Sequence, residues 1–562
     1  MPHIYSPSEK WESNGANPGN RRFRAWKRLP IRLGYLRLRY YGEVSGYYVE
    51  NFGCRATQAD GAALERQFEE RGLVRAASPT QASVVVLNTC TVTTSADQDA
   101  RAAIRRVRRQ NPEARIVVTG CYAQRAPDEI AALPGVDLVI GNSHKHLLAE
   151  IALDKDKVHV PTPAFVPLHA LAPKSQRPFL ACPELSEGTS NQRLADDHRP
   201  IFVSDIFAHT ELFAAPVFDA ANERTRPNLK VQDGCDNRCS FCVIPYVRGQ
   251  SRSLAPDRIM REVNTLVDAG YREVVISGIN LGRWGRDLAP AWVHLGEVAT
   301  AHVGIAAMAD VGTAAPGCPG ERSSPAPATL HKSGENRTRS LESLIRTILA
   351  QTSLEKLRIS SVEPMDWTDD LIALVASSPR IAKHAHVPMQ SGSDAVLRRM
   401  HRKYRPWHYR EKIEKIHTAM PTAAIGADVM VGFPGETDSE FEATRQMIDD
   451  LPFTYLHVFT YSPRPGTPAA EMADQVPVHV ARERNRILRE TAAAKKLAFM
   501  RTFVGRSVEA ITLNVIGNDA DGEFTEALTD NYLKLHLRGR HDPNSWMRAS
   551  IQDVMDGALV GQ

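Results

Sequence analysis

Residues 233–245 read DGCDNRCSFCVIP and hold Cys235, Cys239 and Cys242 at a Cys-x3-Cys-x2-Cys spacing. The segment follows the alternating stretch Leu229–Gln232, which is typical of a strand, so the cysteines are expected in a loop at the strand's end. Three thiolates this close can bind one face of a cubane iron–sulfur cluster, whereas a zinc knuckle uses four ligands at pairwise spacing. No fourth cysteine lies nearby. The motif therefore predicts a cluster with one iron open to a ligand that the protein does not supply.

The strand before this loop is the first of a series in which strands alternate with helices. The predicted strands are Leu229–Gln232, Val274–Ser277, Leu357–Ser360, His384–Val387, Ile425–Val431 and Leu456–Phe459. Strand–helix alternation is typical of a parallel sheet, and six such units predict a partial (βα)6 barrel rather than a closed eight-stranded one. A helix over 481–503 follows, and the alternating tail 505–562, with its Gly and Asp turns, predicts a small β-barrel.

Another alternating series precedes the motif, over residues 46–155, and predicts an open parallel α/β sheet. Its predicted strands are Tyr47–Phe52, Val84–Leu87, Ile116–Thr119 and Val136–Ile140. Cys54, Cys90 and Cys121 each follow one of the first three strands. Because open parallel sheets place their sites at the carboxyl ends of strands, these three loops can converge on a second cluster site. Three unrelated buried cysteines are the plainer interpretation.

The remaining segments differ in composition from these three regions. Residues 1–45 are basic and predict either a disordered extension or one that touches RNA, unless the start site lies too far upstream. The proline-rich stretch 156–225 predicts a linker with an insertion. Residues 300–338, rich in Ala, Gly, Pro and Ser, predict a disordered insertion within the barrel region 226–504. Cys182 and Cys318 fall in these two segments and are interpreted as incidental.

Composition and charge limit the class of protein. The chain has 562 residues, of which 43% are hydrophobic and 24% charged, and its net charge is +4. This balance is ordinary for a globular protein and permits an RNA partner without requiring one. No run of about 18 apolar residues predicts a membrane span, and the N-terminus lacks the apolar segment of a secretory signal. We therefore expect a cytoplasmic protein whose cysteines are metal ligands or catalytic groups rather than disulfides.

The open iron position of the cluster suits one particular cofactor. S-adenosylmethionine can supply amino and carboxylate ligands, and electron transfer from the cluster then yields a 5′-deoxyadenosyl radical. The segment 233–245 resembles the signature of the radical S-adenosylmethionine superfamily, with Cys235, Cys239 and Cys242 as the catalytic cluster ligands. Phe241, beside the last cysteine, is expected to pack on the adenine.

The resemblance extends over 46–155 and 205–562, apart from the 300–338 insertion. The segments GC at 53–54, NTCTVT at 88–93 and TGC at 119–121 are similar to the N-terminal domain of the methylthiotransferase family. The resemblance implies two [4Fe-4S] clusters, the second bound by Cys54, Cys90 and Cys121. It also implies that 505–562 is a TRAM domain, a small RNA-binding β-barrel.

Several motifs of the barrel region are similar to those of the same family. They are VRG at 247–249, SGINLG at 277–282, SVEP at 361–364, PMQSGS at 388–393 and DVMVGFPGE at 428–436. Candidate cofactor-binding residues lie at or near predicted strand ends: Phe241, Ser277, Gly278, Glu363, Gln390, Ser391 and Asp428. Gly278 would let its bare backbone approach the methionine end, and Asp428 would accept from a ribose hydroxyl. A strand-end glycine can equally make a turn, and a strand-end acid can cap a helix.

The branch within the family is indicated by NTCTVT at 88–93, GINLG at 278–282 and YSPRPGTP at 461–468. These segments are most similar to the branch that modifies threonylcarbamoyladenosine in tRNA. The resemblance implies that a methylthio group joins C2 of the adenine next to the anticodon. One S-adenosylmethionine would methylate sulfur carried by the N-terminal cluster, and a second would give the radical that takes hydrogen from C2.

Three alternatives stand beside this interpretation. One is the sibling enzyme that acts on prenylated adenosine, and another is a modifier of an aspartate in a ribosomal protein. From a different class, the chain could be an iron–sulfur electron carrier or a redox-sensing RNA-binding protein. An electron carrier, however, would need neither an open iron nor a barrel of this length.

The implied partners are tRNA, an external electron donor and a sulfur source, and the protein is expected to be a monomer. Basic runs at 398–405 and 101–109 are candidate RNA contacts, although such runs are commonly solvated helix faces. The tail 501–562 holds six Lys or Arg against nine Asp or Glu, so it is net acidic. Shape and loop contacts, more than charge, would have to carry RNA binding there.

Overall fold

A computed structural model of the chain describes residues 46–154, 200–209, 212, 226–288, 339–519 and 522–562. The predictions made for 1–45, for 300–338 and for most of 156–225 lie outside the described residues, as do Cys182 and Cys318. All the described residues belong to one compact unit. No helix among them combines the length and the apolar character that crossing a membrane requires.

The N-terminal region is a parallel sheet of six strands in the order β2-β1-β3-β4-β5-β6. The strands are β1 Gly46–Asn51, β2 Val74–Arg75, β3 Val84–Thr89, β4 Arg115–Gly120, β5 Leu138–Gly141 and β6 Ile201–Phe202. The helices are α1 Arg55–Glu69, α2 Thr94–Gln110, α3 Cys121–Arg125, α4 Pro127–Ala131 and α5 Leu148–Leu153. Every residue of β3 is buried, as expected for a central parallel strand covered on both faces.

Strand β6 corrects the sequence analysis, which assigned 156–225 to a linker with an insertion. Ile201 and Phe202 pair in parallel with Val139 and Ile140 of β5 and extend the sheet by one strand. Two residues are too few to show a periodic pattern, and the proline-rich surroundings concealed them. The sheet therefore takes its last strand from the segment that leads to the barrel.

The central region is a partial barrel built from two parallel sheets of three strands, β11-β10-β7 and β12-β13-β14. A single parallel bridge between Leu357 and Ile381 joins the two sheets. The strands are β7 Asn228–Lys230, β8 Gln232–Asp233, β9 Arg252–Ser253, β10 Glu273–Ser277, β11 Lys356–Ile359, β12 His384–His386, β13 Ala424–Val431 and β14 Tyr455–Thr460. The helices are α6 Ile244–Arg248, α7 Pro256–Asp268, α8 Leu341–Gln351, α9 Asp369–Ser377, α10 Asp394–Arg399, α11 Pro406–Ala419, α12 Asp438–Asp450 and α13 Val478–Arg501.

The two faces of these strands differ in chemistry. Alternate residues such as Val274 and Ile276 of β10 join the apolar core under the helices. Helix α7 supplies that core from one stripe, at Ile259, Val263 and Leu266. The opposite face, called the inner face below, carries mainly polar side chains: Lys230, Glu273, Arg358, His384, His386, Asp428, Tyr455 and His457. The alternation therefore leaves a polar concave surface inside a partial barrel whose outside is sealed by helices.

The C-terminal region is a closed barrel of five strands in the order β15-β16-β17-β19-β18. The strands are β15 Ser507–Asp519, β16 Gly522–Thr529, β17 Lys534–Arg538, β18 Trp546–Met555 and β19 Ala558–Gly561. The turn at 530–532 contacts the strand starts of the partial barrel. Arg358 donates to the carbonyl of Asp530 at 3.2 Å, and the ring of Tyr532 lies 4.8 Å from that of His384. The expected fold class, with an open parallel sheet, a partial barrel and a small β-barrel, is confirmed.

Candidate active site

The loop that holds Cys235, Cys239 and Cys242 is fixed at both ends. Gly234 has a φ of +71°, and a side chain there would overlap the carbonyl of Gln250. The amide of Cys235 donates to the carbonyl of Gly249 at 3.1 Å, and that of Cys242 to the carbonyl of Cys239 at 3.1 Å. The sequence thus places glycine where the chain must turn tightly, directly before the first cysteine.

Each of two thiols in this loop has a polar neighbour from the barrel. Asn280 Nδ2 approaches Cys235 Sγ at 3.6 Å, and Arg402 Nη1 donates to Cys239 Sγ at 3.3 Å. Burial, followed by the charge of Cys239, raises the pKa of Cys242 to about 12. Thiols with raised pKa values must lose their protons when they bind a metal, and a nearby guanidinium favours that loss.

The other three cysteines lie at neighbouring strand ends, as predicted. Cys54 follows β1, Cys90 follows β3 and Cys121 opens α3 after β4. Cys54 is exposed, whereas Cys90 and Cys121 are buried. A Cβ added at Gly53, where φ is +100°, would lie 2.6 Å from Cys90 Cβ, so the first two loops are in contact. Burial, followed by the charges of Cys121 and Cys54, raises the pKa of Cys90 to about 12.

The structure brings the two cysteine groups together. Cys121 packs in an apolar group with Val243 and Val247, which follow Cys242 in the chain. Asn142 links the same segments, because its Nδ2 lies 3.6 Å from Cys121 Sγ and donates to the carbonyl of Val247 at 2.7 Å. A cavity of about 270 Å³ beside Cys242 is lined by both the N-terminal region and the barrel. Its lining includes Val92, Thr93, Phe241, Gln390, Asp428 and Phe459.

Three predicted cofactor-binding residues line this cavity. Phe241 meets Phe433 edge to face, with ring centroids 6.4 Å apart. Asp428 Oδ1 lies 3.2 Å from His386 Nε2. Gln390 has a φ of +63°, unusual for a residue with a side chain, and its amide donates to the carbonyl of Asp428 at 2.8 Å. Backbone strain at a cavity wall is typical of a functional site.

Three more predicted residues lie on the other side of the cysteine loop. Glu363 forms an ion pair with Arg402, and both line a small second cavity with Cys239. Ser277 is buried, and its hydroxyl has no hydrogen-bond partner among the described residues. A Cβ at Gly278 would lie 2.8 Å from Gln232 Oε1, so only glycine fits there without displacement. A buried hydroxyl without a partner, beside a residue that must stay bare, suits a site that accepts a polar ligand.

Ser391, like Ser277 and Gly278, lines neither of the two cavities, and its hydroxyl has hydrogen-bond partners of its own. Its hydroxyl lies 3.1 Å from that of Thr444 in α12 and accepts from the amide of Ser393 at 3.1 Å. These contacts hold the strand end against a helix. Ser391 therefore stabilises the strand end in this structure, and its role as a cofactor-binding residue stays a prediction.

The sequence analysis missed Arg402 because it belongs to the basic run 398–405, interpreted as an RNA contact. Arg402 is 7% exposed and turns inward to Glu363 and Cys239. Its neighbours Arg398 and Arg405 pair with Asp394. Much of the run's charge is thus neutralised within the barrel. The signal that could have identified Arg402 is its pairing with an acid at a strand end, here Glu363.

A set of five buried charged side chains joins the N-terminal sheet to the cysteine loop and is called the interface charge cluster below: Asp60, Lys145, Lys230, Asp233 and Arg248. Lys145 Nζ and Arg248 Nη2 each lie 3.0 Å from Asp60 Oδ2. Arg248 also reaches Asp233 Oδ1 at 3.0 Å. Although burial opposes ionisation, Lys145, Lys230 and Arg248 hold the pKa of Asp60 well below its usual range.

The donor set fits an iron–sulfur cluster better than zinc. Three cysteines in one loop leave a tetrahedral zinc ion one ligand short, whereas a cubane cluster held by three thiolates keeps one iron open to another ligand. The unpartnered Ser277 hydroxyl and the Asn280 carbonyl oxygen, both buried, leave polar atoms for a ligand at the open iron.

Comparison with known proteins matches both regions that carry the cysteines. A profile described as uncharacterized protein family UPF0004 matches residues 46–141, and that of the radical SAM superfamily matches 229–282 and 326–448. The chain is 33% identical over 492 residues to the threonylcarbamoyladenosine tRNA methylthiotransferase MtaB of Bacillus subtilis, which covers 87% of this chain and 90% of that protein. It is 31% identical over 521 residues to the tRNA-2-methylthio-N(6)-dimethylallyladenosine synthase of Acidothermus cellulolyticus, covering 92% and 84%.

A solved structure of the radical S-adenosylmethionine methyltransferase TsrM from Kitasatospora setae covers 76% of this chain and 75% of its own, at 13% identity and a TM-score of 0.46. That likeness is too loose to bear on the site. The sequence relatives cover 87% and 92% of the chain, and the two matched family profiles span the two cysteine groups. The chain belongs to the radical S-adenosylmethionine methylthiotransferase family.

Proposed function

We propose that the protein adds a methylthio group to C2 of N6-threonylcarbamoyladenosine next to the anticodon of tRNA. One [4Fe-4S] cluster would be held by Cys235, Cys239 and Cys242, and the other by Cys54, Cys90 and Cys121. The observation that carries the proposal is the contact of Cys121 with the segment after Cys242, beside a shared cavity. Joining sulfur to an activated carbon requires both centres to reach one substrate atom. The name of the Bacillus subtilis relative supports the nucleoside.

When bound, the cluster and S-adenosylmethionine supply the one-electron chemistry that activates an unreactive C–H bond. The chain's own residues prepare the site for it. Arg402 balances the charge of a thiolate at Cys239, and Asn280 donates to Cys235. Val92 and Phe459 are large apolar residues that stay exposed where they line the cavity. Exposed apolar surface beside a polar pocket suits a flat nucleic-acid base that stacks there.

Nucleoside mass spectrometry tests the substrate. We expect tRNA from cells lacking this protein to lose the methylthio form of threonylcarbamoyladenosine. The wild-type gene should restore it, whereas Cys235→Ala and Cys54→Ala should not. Loss of no methylthio nucleoside, in a strain without a redundant enzyme, would contradict the tRNA proposal and direct attention to ribosomal proteins.

The second candidate is the sibling reaction on prenylated adenosine. It is favoured by the 31% identity over 521 residues to a dimethylallyladenosine enzyme, which is close to the 33% of the other branch. Loss of the methylthio-prenyl nucleoside in the same experiment would keep the reaction and change the substrate.

Iron analysis tests the two-cluster part of the proposal separately. After anaerobic reconstitution, changing Cys54, Cys90 and Cys121 together to Ala should remove about half of the bound iron, because each cysteine group holds one cluster. Changing Cys235, Cys239 and Cys242 together should remove the other half. The matched control changes Cys182 and Cys318 to Ala and should keep all of it. Full iron content in either triple variant would contradict the cluster assigned to the cysteines that this variant lacks.

The proposal also requires partners that no described residue identifies. An electron donor and a sulfur source must act with the protein, in addition to tRNA. The cytoplasmic location, the monomeric state and the RNA-binding role of the C-terminal barrel stay predictions. The acidic balance of 501–562 remains the main argument against RNA binding by charge alone.

A further inference from the structure

A row of side chains on the inner face leads away from the cavity beside Cys242. On β14, Tyr455, His457 and Phe459 point the same way, with ring centroids 5.4 Å and 6.5 Å apart in succession. Phe459 lines the cavity. Across the face, the ring of His386 lies 5.3 Å from that of His457. A ligand in the cavity can therefore extend along this row.

Arg55 stands at the far end of the row. It opens α1 directly after Cys54, and its carbonyl accepts from Asn228 Nδ2 at 2.9 Å, which fixes the backbone against the barrel. Its guanidinium Nη2 donates to the hydroxyl of Tyr532 at 3.0 Å. The ring of Tyr532 lies 6.3 Å from that of Tyr455, which is the first ring of the row. Arg55 therefore stands at the Tyr455 end of the row that His457 continues.

The guanidinium of Arg55 lacks the acidic partner that comparable cations nearby possess. Arg226 and Arg358 both pair with Glu273, at 3.7 Å and 2.7 Å. Arg55 takes part in no ion pair within the described ranges, although it is half-buried. The other acid on the inner face, Asp428, lies 3.2 Å from His386 Nε2. A half-buried guanidinium whose N–H donors have no acidic partner can bind an anionic group of a ligand.

The substrate in the proposed function carries such an anion. The threonylcarbamoyl group on N6 ends in a carboxylate and a hydroxyl, whereas a prenyl group ends in hydrocarbon. C2 is a ring carbon of adenine, and N6 is attached to C6 of the same ring. A base whose C2 lies between the cysteine groups therefore carries its N6 substituent only a few bonds away. Guanidinium and carboxylate match in charge and in fork geometry, which makes their pairing specific.

We propose that Arg55, with His457 farther along the same row, binds the carboxylate of the N6 substituent and so selects threonylcarbamoyladenosine over prenylated adenosine. The inference rests on the proposed function and assigns its specificity to two residues. His457 is exposed and, among the residues described, makes ring contacts without a hydrogen bond, so its N–H is available to the same group. Tyr532 holds the guanidinium in place from the C-terminal barrel.

Binding of modified RNA to the reconstituted enzyme tests this subsite. The probes are anticodon stem–loops that differ only at one adenine: the threonylcarbamoyl form, its carboxamide analogue, and the prenyl form. Wild type should bind the carboxylate form about tenfold or more tightly than the carboxamide, as a charge-assisted hydrogen bond allows. Arg55→Gln should bring that ratio near one while leaving carboxamide binding unchanged. Arg55→Lys should keep part of the ratio.

Controls separate recognition from structure. Arg109→Gln removes an exposed cation of α2 and should leave the ratio at the wild-type value. Because Arg55 adjoins Cys54, the iron content of Arg55→Gln is measured first. If that variant loses iron, His457→Leu takes its place, because His457 adjoins no cysteine, and this variant should also lower the ratio of carboxylate to carboxamide binding. If Arg55 served only to hold Tyr532, Tyr532→Phe and Arg55→Gln would weaken all three RNAs alike, and the subsite would be refuted.

Two failures can be told apart. If wild type methylthiolates the threonylcarbamoyl RNA but Arg55→Gln keeps the full ratio, the subsite is wrong and the proposed function stands. If wild type binds and methylthiolates the prenyl RNA in preference, the proposed substrate is wrong, and the subsite is refuted with it.

Discussion

Replacing Asp60 by Asn would unbalance the interface charge cluster. The cluster holds three cations, Lys145, Lys230 and Arg248, and two carboxylates, Asp60 and Asp233, and Arg252 lies 4.0 Å from Asp233, so positive charge is in excess. Asp60→Asn raises that excess by one charge while keeping the side chain's shape. The Asp60 side chain is 2% exposed, so water cannot compensate. Removing one partner of a buried pair costs about 3–5 kcal/mol, and we expect that loss in the free energy of unfolding.

A urea titration of the apoprotein near neutral pH measures the effect. The cluster joins α1 to β7 and α6, so the loss should appear in the first transition, as the N-terminal sheet leaves the barrel. Asp257→Asn is the matched control, because the pair of Asp257 with Arg261 is 72% and 69% exposed and is worth less than about 1 kcal/mol. Adding Lys145→Met to Asp60→Asn restores the charge balance and should recover stability. A change below about 1 kcal/mol in Asp60→Asn would refute the reasoning.

Two further predictions concern the cysteine loops. In the apoprotein at neutral pH, iodoacetamide should label Cys54 before Cys242, because Cys54 is exposed while burial raises the pKa of Cys242 to about 12 and keeps it protonated. Peptide mass spectrometry measures the labelling rate of both thiols. Equal rates would contradict the burial argument. Gly234→Ala should lower iron binding by Cys235, Cys239 and Cys242, because φ at Gly234 is +71° and the new Cβ overlaps the carbonyl of Gln250. An iron content equal to that of the wild type would show that the loop can relax.

The strands and the strand-end cysteines could be predicted because their signals are local. Alternation of apolar residues gives a strand within a few positions, and Cys54, Cys90 and Cys121 each follow such a run. The direction of a single side chain could not be predicted in the same way. Gln390 takes a left-handed backbone conformation, so the chain turns there and aims Ser391 at Thr444 instead of at the cavity. No pattern in the PMQSGS segment records that turn.

Contacts between distant parts of the chain were equally hidden. Arg402 looked like one cation in a basic run, yet Cys239 lies 163 positions away from it. Asp60 had no role in the sequence analysis, and its partner Lys230 lies 170 positions away. A charged residue's sequence neighbours do not reveal whether it is buried, because burial depends on which elements pack together.

Tyr532 makes the three regions of the chain mutually dependent. It belongs to the C-terminal barrel, its hydroxyl accepts from Arg55 of the N-terminal sheet, and its ring lies on His384 of the partial barrel. A chimaera that carried the C-terminal barrel of a relative would therefore also replace the residues that contact the inner face of the partial barrel. The turn at 530–532 should accordingly evolve together with Arg55 and His384, more closely than with the rest of its own barrel.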